Sequence, residues 1–314
     1  MQTIAVLDVF PMGRYVSGAS TALWSANAQG RVRIKWMGVL VDRAHQGVPA
    51  PLLFVAGGCS MYLGAALAVG LFELLSPAGV AWLRMLVAAL VLLAWRRPDR
   101  AAWRGRRLII AGSFGLVTGV MNVAFYEAIA RLPLGTAVAV EFCGPVVVAA
   151  LGLRRARHIA ALVLAAIGVT LIADVRLAGN RTGLLLALLA ALMWAGYIVL
   201  GKWVARGGSG LDDMAVGFAL AAVLLCPLAV GAAPAWGSPN LLVPAAGVGL
   251  LSTVLPYAVD QIVLRRIDHS QFAVLLALLP AAASVIGFLV LRQLPHPLEA
   301  AGILAVALAV VAAR

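Results

Sequence analysis

Glu141 and Pro145 are the residues whose types and spacing point most directly to chemistry. Both lie in residues 119–145, GVMNVAFYEAIARLPLGTAVAVEFCGP, which read as two apolar helices joined by the turn Arg131-Leu132-Pro133. Proline has no N–H, so the helical carbonyl four residues back loses its partner. Here that carbonyl belongs to Glu141 itself, and Gly144-Pro145 predicts a kink just beyond it. One position thus offers a carboxylate and a spare backbone acceptor inside an apolar layer. Such groups are costly in hydrocarbon unless they face protein or a watery cavity, and an intramembrane acid is a site for holding a cation or moving a proton.

The elements that must position Glu141 follow from composition. Of 314 residues 63% are hydrophobic and 11% charged, and mean hydropathy is +1.02. A soluble domain of this length has no interior large enough for that much apolar surface, so the chain reads as an all-α polytopic membrane protein. Ten apolar segments are expected at about 51–72, 78–95, 108–127, 133–152, 159–174, 183–203, 214–233, 241–263, 269–291 and 298–313, each near the ~20 residues that cross a bilayer. Residues 1–50 lack that pattern and read as a cytoplasmic extension, either a disordered tail or a leader before a true start at Met37.

Net charge is +12. In a soluble chain this would point to nucleic acid, but here the bases fall in alternate connections. Those after the second, fourth, sixth and eighth segments hold thirteen Lys and Arg, beginning with Arg96 and Arg97. The others hold four, namely Arg131, Arg176, Arg181 and Arg292. Positive-inside topology accounts for this and makes both termini cytoplasmic.

The two halves resemble each other. Arg131–Pro145 (RLPLGTAVAVEFCGP) aligns without gaps to Arg266–Pro280 (RIDHSQFAVLLALLP), and the same offset maps the first segment on the sixth. Five segments per half is odd, so the halves, 51–174 and 183–313, have opposite orientation. Inverted repeats of this kind build many secondary transporters, with the site at the repeat interface. Pro280 frees the carbonyl of Leu276, the counterpart of Glu141, and Pro256 predicts a further kink in the eighth segment. Packing alone would also account for any one of these prolines.

Other polar residues gather at similar depth. Asn122 and Tyr126 lie one turn apart on a shared face, and Trp194, Tyr197, Tyr257 and Gln261 add polar-edged groups. Singly, each is explained by an interhelical hydrogen bond or an interface anchor. Together they would line a cavity suited to a small zwitterion. Glu73 and Glu127 fall near outer ends and read as solvated, and Asp260 as a partner of Arg265 or Arg266. Arg84 is read as snorkelling outward, with pairing to Glu141 as the alternative. Gly196–Lys202 (GYIVLGK) mimics a phosphate loop, but Trp203 follows and no strand precedes it. Gly115 and Gly119 form a GxxxG for close helix packing. The four His and three Cys have no metal-ligand spacing, and Cys59, Cys143 and Cys226 read as buried free thiols. Neither metal nor cofactor is expected, and no enzyme pattern appears.

Residues 119–149, together with Leu251–Tyr257 (LSTVLPY), resemble the threonine/homoserine exporters (RhtA-type) of the EamA branch of the drug/metabolite transporter (DMT) superfamily. The resemblance covers about residues 50–314. It implies ten helices in two inverted five-helix repeats, an inner-membrane location and export of amino acids or related metabolites. Such proteins line their cavity with the helices that correspond here to segments one, three, four, six, eight and nine. Relatives often carry Glu-Pro and Gly-Glu where this chain has Leu279-Pro280 and Arg292-Gln293, so the acid of the second half is missing. The expectation is a proton-coupled exporter of small amino acids working by alternating access. A broader drug or lipid-intermediate carrier of the same fold and a non-transporting scaffold are the alternatives. The expected partners are a small-molecule substrate and the lipid bilayer, with no nucleic acid.

Overall fold

The second apolar run starts at Ser76-Pro77, a capping residue followed by a proline whose missing N–H costs nothing in a first turn. In the computed structural model the Ser76 hydroxyl accepts from Gly79 N at 3.0 Å, and the helix runs Pro77–Arg96 until Arg97 turns left-handed at φ 48°. The structure describes residues 48–152, 156–176, 180–206, 210–256 and 278–312, with 259, 263, 275 and 276. Among these there are helices and turns but no strand.

In chain order the helices are α1 (Ala50–Leu71), α2 (Pro77–Arg96), α3 (Gly105–Ile129), α4 (Leu134–Glu141), α5 (Cys143–Gly152), α6 (Ala156–Arg176), α7 (Arg181–Arg206), α8 (Gly210–Leu224), α9 (Ala233–Trp236), α10 (Pro239–Gly249), α11 (Leu279–Leu291) and α12 (Pro297–Ala312). Short 3₁₀ turns occupy Arg100–Trp103 and Cys226–Ala232, and a π turn Leu250–Val254.

Four helices are long and apolar enough to cross a bilayer: α1, α2, α3 and α7 over Arg181–Gly201. A fifth candidate is Gly210–Leu224 with Cys226–Trp236, bent by 70°, and five further apolar helices have 10–17 residues. In the four long helices only 39–50% of the most apolar window is buried, so the rest of that surface faces outward, where only hydrocarbon suits it. The chain is a helical polytopic membrane protein with four to five clear spans among the described residues.

Several expectations are corrected. The seventh segment is not one straight helix: α8 stops at Leu224 and the chain swings into Cys226–Ala232, where Pro227 brings no N–H to Val223. The eighth leaves α geometry at Leu250. Pro280 sits in the first turn of α11, just after a turn at Leu278, and most of the ninth segment before it lies outside the described residues. Cys226 is exposed and Cys59 and Cys143 partly so, although all three are free. The extension 1–50 lies outside the described residues up to 47, as do Asp260, Arg265 and Arg266.

Helices meet where side chains are small, because lipid leaves dispersion and close approach as the main cohesive terms. The first glycine of the GxxxG, Gly115 on α3, lies against the backbone of Gly217 on α8. Gly168 on α6 faces the Gly302 carbonyl on α12, 2.7 Å from an added Cβ. Gly144 rests on the Ala191 carbonyl of α7. Further pairs are α3 with α7, α2 with α8, α5 with α7, and α11 with both α1 and α4, while α10 and its π turn lie on α1 and α2.

Candidate functional site

Glu141 is the last residue of α4, and the helical run is interrupted at Phe142 before α5 begins. The other end of α4 is tied down: the Gln293 side-chain oxygen accepts from Leu134 N at 2.8 Å, and the Thr136 hydroxyl donates to Glu299 at 3.2 Å. Gln293 thus caps the helix that carries the acid. Glu141 is 9% exposed, and among the described residues no hydrogen bond or ion pair reaches its carboxylate. Its electrostatic neighbours are Arg84 on α2 and the Tyr62 hydroxyl on α1. Phe142 beside it meets Trp194 of α7 edge-on, with centroids 4.7 Å apart.

Asn122 and Tyr126 are both buried on α3. Asn122 donates through Nδ2 to the Thr118 carbonyl at 2.9 Å, a bond within its own helix that leaves Oδ1 for something else. It lines a cavity of about 30 Å³ with Arg84, Thr118, Met121 and Thr253, room for about two waters. Tyr126 is wholly buried against Phe72 and Phe125, and its hydroxyl has no partner among the described residues.

The structure does not bring every expected residue to this place. Tyr197 is buried in an aromatic layer against Phe114, 4.8 Å away, with Phe218 beyond, instead of lining the cavity. Trp194 packs on Phe142, next to Glu141. Gly144 provides close approach to α7, and Pro145 follows the helix break. Tyr257 and Gln261 lie outside the described residues.

Arg84 is the principal correction. Instead of snorkelling outward it turns into the protein, donating from Nε to the Thr253 hydroxyl at 2.8 Å and from Nη2 to the Ser252 carbonyl at 3.0 Å. Its Cζ lies 5.4 Å from the Tyr126 ring centroid. Pro256 brings no N–H to the carbonyls five and four residues back, those of Leu251 and Ser252. In the π turn Leu255 N bonds back to Leu250 O, and Leu251 O is taken by the Ser60 hydroxyl at 2.9 Å. The signal was present in the chain, since the rule that singles out Glu141 before Pro145 also singles out Ser252 before Pro256. Glu127 is likewise not simply solvated: it accepts from Ala78 N and pairs with Arg131, tying α3 to the start of α2.

Residues 181–313 match the EamA-like transporter family. The threonine/homoserine exporter RhtA of Salmonella typhimurium (strain LT2) is 35% identical over 252 residues, 78% of this chain and 84% of that protein. The protein of the same name from Escherichia coli (strain K12) is 34% identical over 258 residues, 80% of this chain and 86% of the relative. A solved crystal structure superposes with TM-score 0.52 at 18% identity, over 84% of this chain and 96% of its own, a likeness of fold.

Proposed function

Because the chain belongs to the EamA-like transporter family, we propose that it is an inner-membrane exporter of small amino acids of the threonine or homoserine kind, driven by protons through alternating access. The observation that carries the reading is Glu141, a buried carboxylate at a helix break with no ion pair among the described residues. A carboxylate in that setting either receives the ammonium of the substrate or takes up and releases the coupled proton. Asn122 Oδ1 and the Tyr126 hydroxyl orient substrate when the helices part, and Trp194 bounds the site through Phe142.

Alternating access needs two halves that exchange roles. We assign these to two inverted five-helix repeats, 51–174 and 183–313, and the packing supports it. Contact of α3 with α7 has a counterpart in the π turn on α1. Contact of α3 with α8 has one in α10 on α2, and α5 with α7 has one in α11 on α1. The pairs α2 with α8 and α6 with α12 map on themselves. Such pairing is expected of a pseudo-two-fold lying between the halves.

The test is transport in proteoliposomes under an imposed pH gradient. Threonine and homoserine are expected to move against their gradients and to stop when a protonophore is added. Movement of bulky organic cations in preference to amino acids would replace the reading by the broader carrier, and no movement of any solute would leave a scaffold.

A further inference from the structure

Arg84 is a charge that the exporter reading leaves unused. It is the eighth residue of α2, well inside an apolar helix, yet its guanidinium faces protein. Two of its N–H groups are held by Thr253 and Ser252, and the others meet no acceptor among the described residues. Nor does any carboxylate among the described residues come within ion-pair distance of it, although Glu141 is within electrostatic reach. Half-buried inside an apolar helix with donors to spare, the guanidinium favours an anionic group at this point.

The anchorage is the kind a binding arginine needs. A planar fork with two donors fixed is presented in one orientation, and its remaining edge suits a carboxylate. Pro256 supplies no N–H to the carbonyl that fixes it, and the Tyr126 face covers the fork on another side. Arg84 also lines the cavity that Asn122 and Thr118 share. At about 30 Å³ that space is far smaller than an amino acid, so a docked carboxylate requires the helices to separate further.

We infer that Arg84 is the carboxylate-recognition residue of this transporter: its free N–H groups pair with the α-carboxylate of the transported molecule, and Ser252 and Thr253 hold the fork in place. The placement of the ammonium rests on the exporter reading, with Glu141 at that end. The inference has a content of its own, namely that the substrate class is free carboxylates, so that amides, esters and lactones of the same amino acids are rejected.

The experiment compares threonine, threoninamide and 3-hydroxybutyrate, the last being threonine without its amine. In proteoliposomes wild type is expected to favour threonine over threoninamide by roughly 10-fold or more. Arg84→Gln should lose threonine transport by roughly 30-fold or more, the scale of a broken desolvated charge pair, and its preference should collapse to near parity. A preference that survives in Arg84→Gln overturns the inference. If that variant does not fold, Thr253→Val removes only the acceptor for Nε; KM for threonine should then rise by roughly 3- to 10-fold with threoninamide unmoved, and equal shifts for both refute the site. The two readings fail separately. If wild type carries no amino acid, the exporter reading falls, and Arg84 is then judged on 3-hydroxybutyrate. That carboxylate must protect wild type against thermal unfolding, Arg84→Gln not at all and Thr253→Val less at the same concentration; equal protection of all, or protection of none, refutes the inference.

Discussion

At the scale of single residues, what distinguishes Glu141 is that it is buried and unshared. An acid of this kind near Arg84 would ordinarily be read as half of a salt bridge, but the guanidinium is turned towards Thr253 and the Ser252 carbonyl, and no ion pair joins the two among the described residues. Glu141→Gln keeps shape and hydrogen bonding while removing the charge. If the acid holds an ammonium or a proton, gradient-driven transport should collapse by roughly 3–5 kcal/mol of lost interaction, while the protein still inserts and elutes as one species. Full gradient-driven transport by the variant would sink the mechanism and leave the fold untouched. Glu127→Gln is the control. It retains an oxygen for Ala78 N and loses only its half-exposed pair with Arg131, worth about 0–1 kcal/mol, so transport should stay within a few-fold of wild type. The acid was legible because a carboxylate in an apolar run has few other uses. The direction taken by Arg84 was not, because a long arginine side chain two turns into a helix can reach towards water or into the protein, and the choice lies with what stands opposite.

At the scale of helices, the breaks and the glycines act together. Prolines interrupt α geometry near Glu141, at Leu225 and after Ser252, and glycines let the broken pieces approach across the bundle. Gly115 is the sharpest case, since a Cβ there would run into the Gly217 backbone, which has no flexible end to yield. Gly115→Leu should part α3 from α8 and lower the melting temperature in detergent by several degrees, on the scale of about 1–3 kcal/mol for overpacking. Gly70→Leu, with open space around its Cα, should leave melting unchanged. Equal melting of the two variants would mean that the α3–α8 contact does not hold the bundle. The GxxxG spacing pointed to packing, but it named no partner helix. Gly217 stands alone in its own run, so only the assembled bundle pairs the two.

At the scale of the whole molecule, the basic residues decide orientation. With thirteen Lys and Arg in one set of connections against four in the other, the positive-inside rule would put the even-numbered connections on the cytoplasmic side. In a background lacking Cys59, Cys143 and Cys226, a cysteine at exposed Asn240 should react with an impermeant thiol reagent applied from outside, and a tag at Arg314 should be accessible only from the cytoplasm. The reverse pattern would overturn the assignment of opposed repeats, since five helices per half and cytoplasmic termini stand together.

The medium, the helical class, the family resemblance and the residue around which to look for chemistry were all legible in the chain before folding. Each depends on composition or on short spacings: an apolar run tells of lipid, a proline four residues after a carbonyl frees it, and an acid in hydrocarbon must be used. It could not say whether Tyr197 lines a cavity or packs on Phe114, since either suits an aromatic on an apolar helix. Nor could it decide that Arg84 would leave α2 for a carbonyl on a turn 168 residues away, or that Gln293 would cap the helix of Glu141. Those outcomes depend on which helices lie side by side. That choice is made by the summed fit of small-residue contacts across the bundle, a property of pairs of surfaces that no single stretch of chain contains.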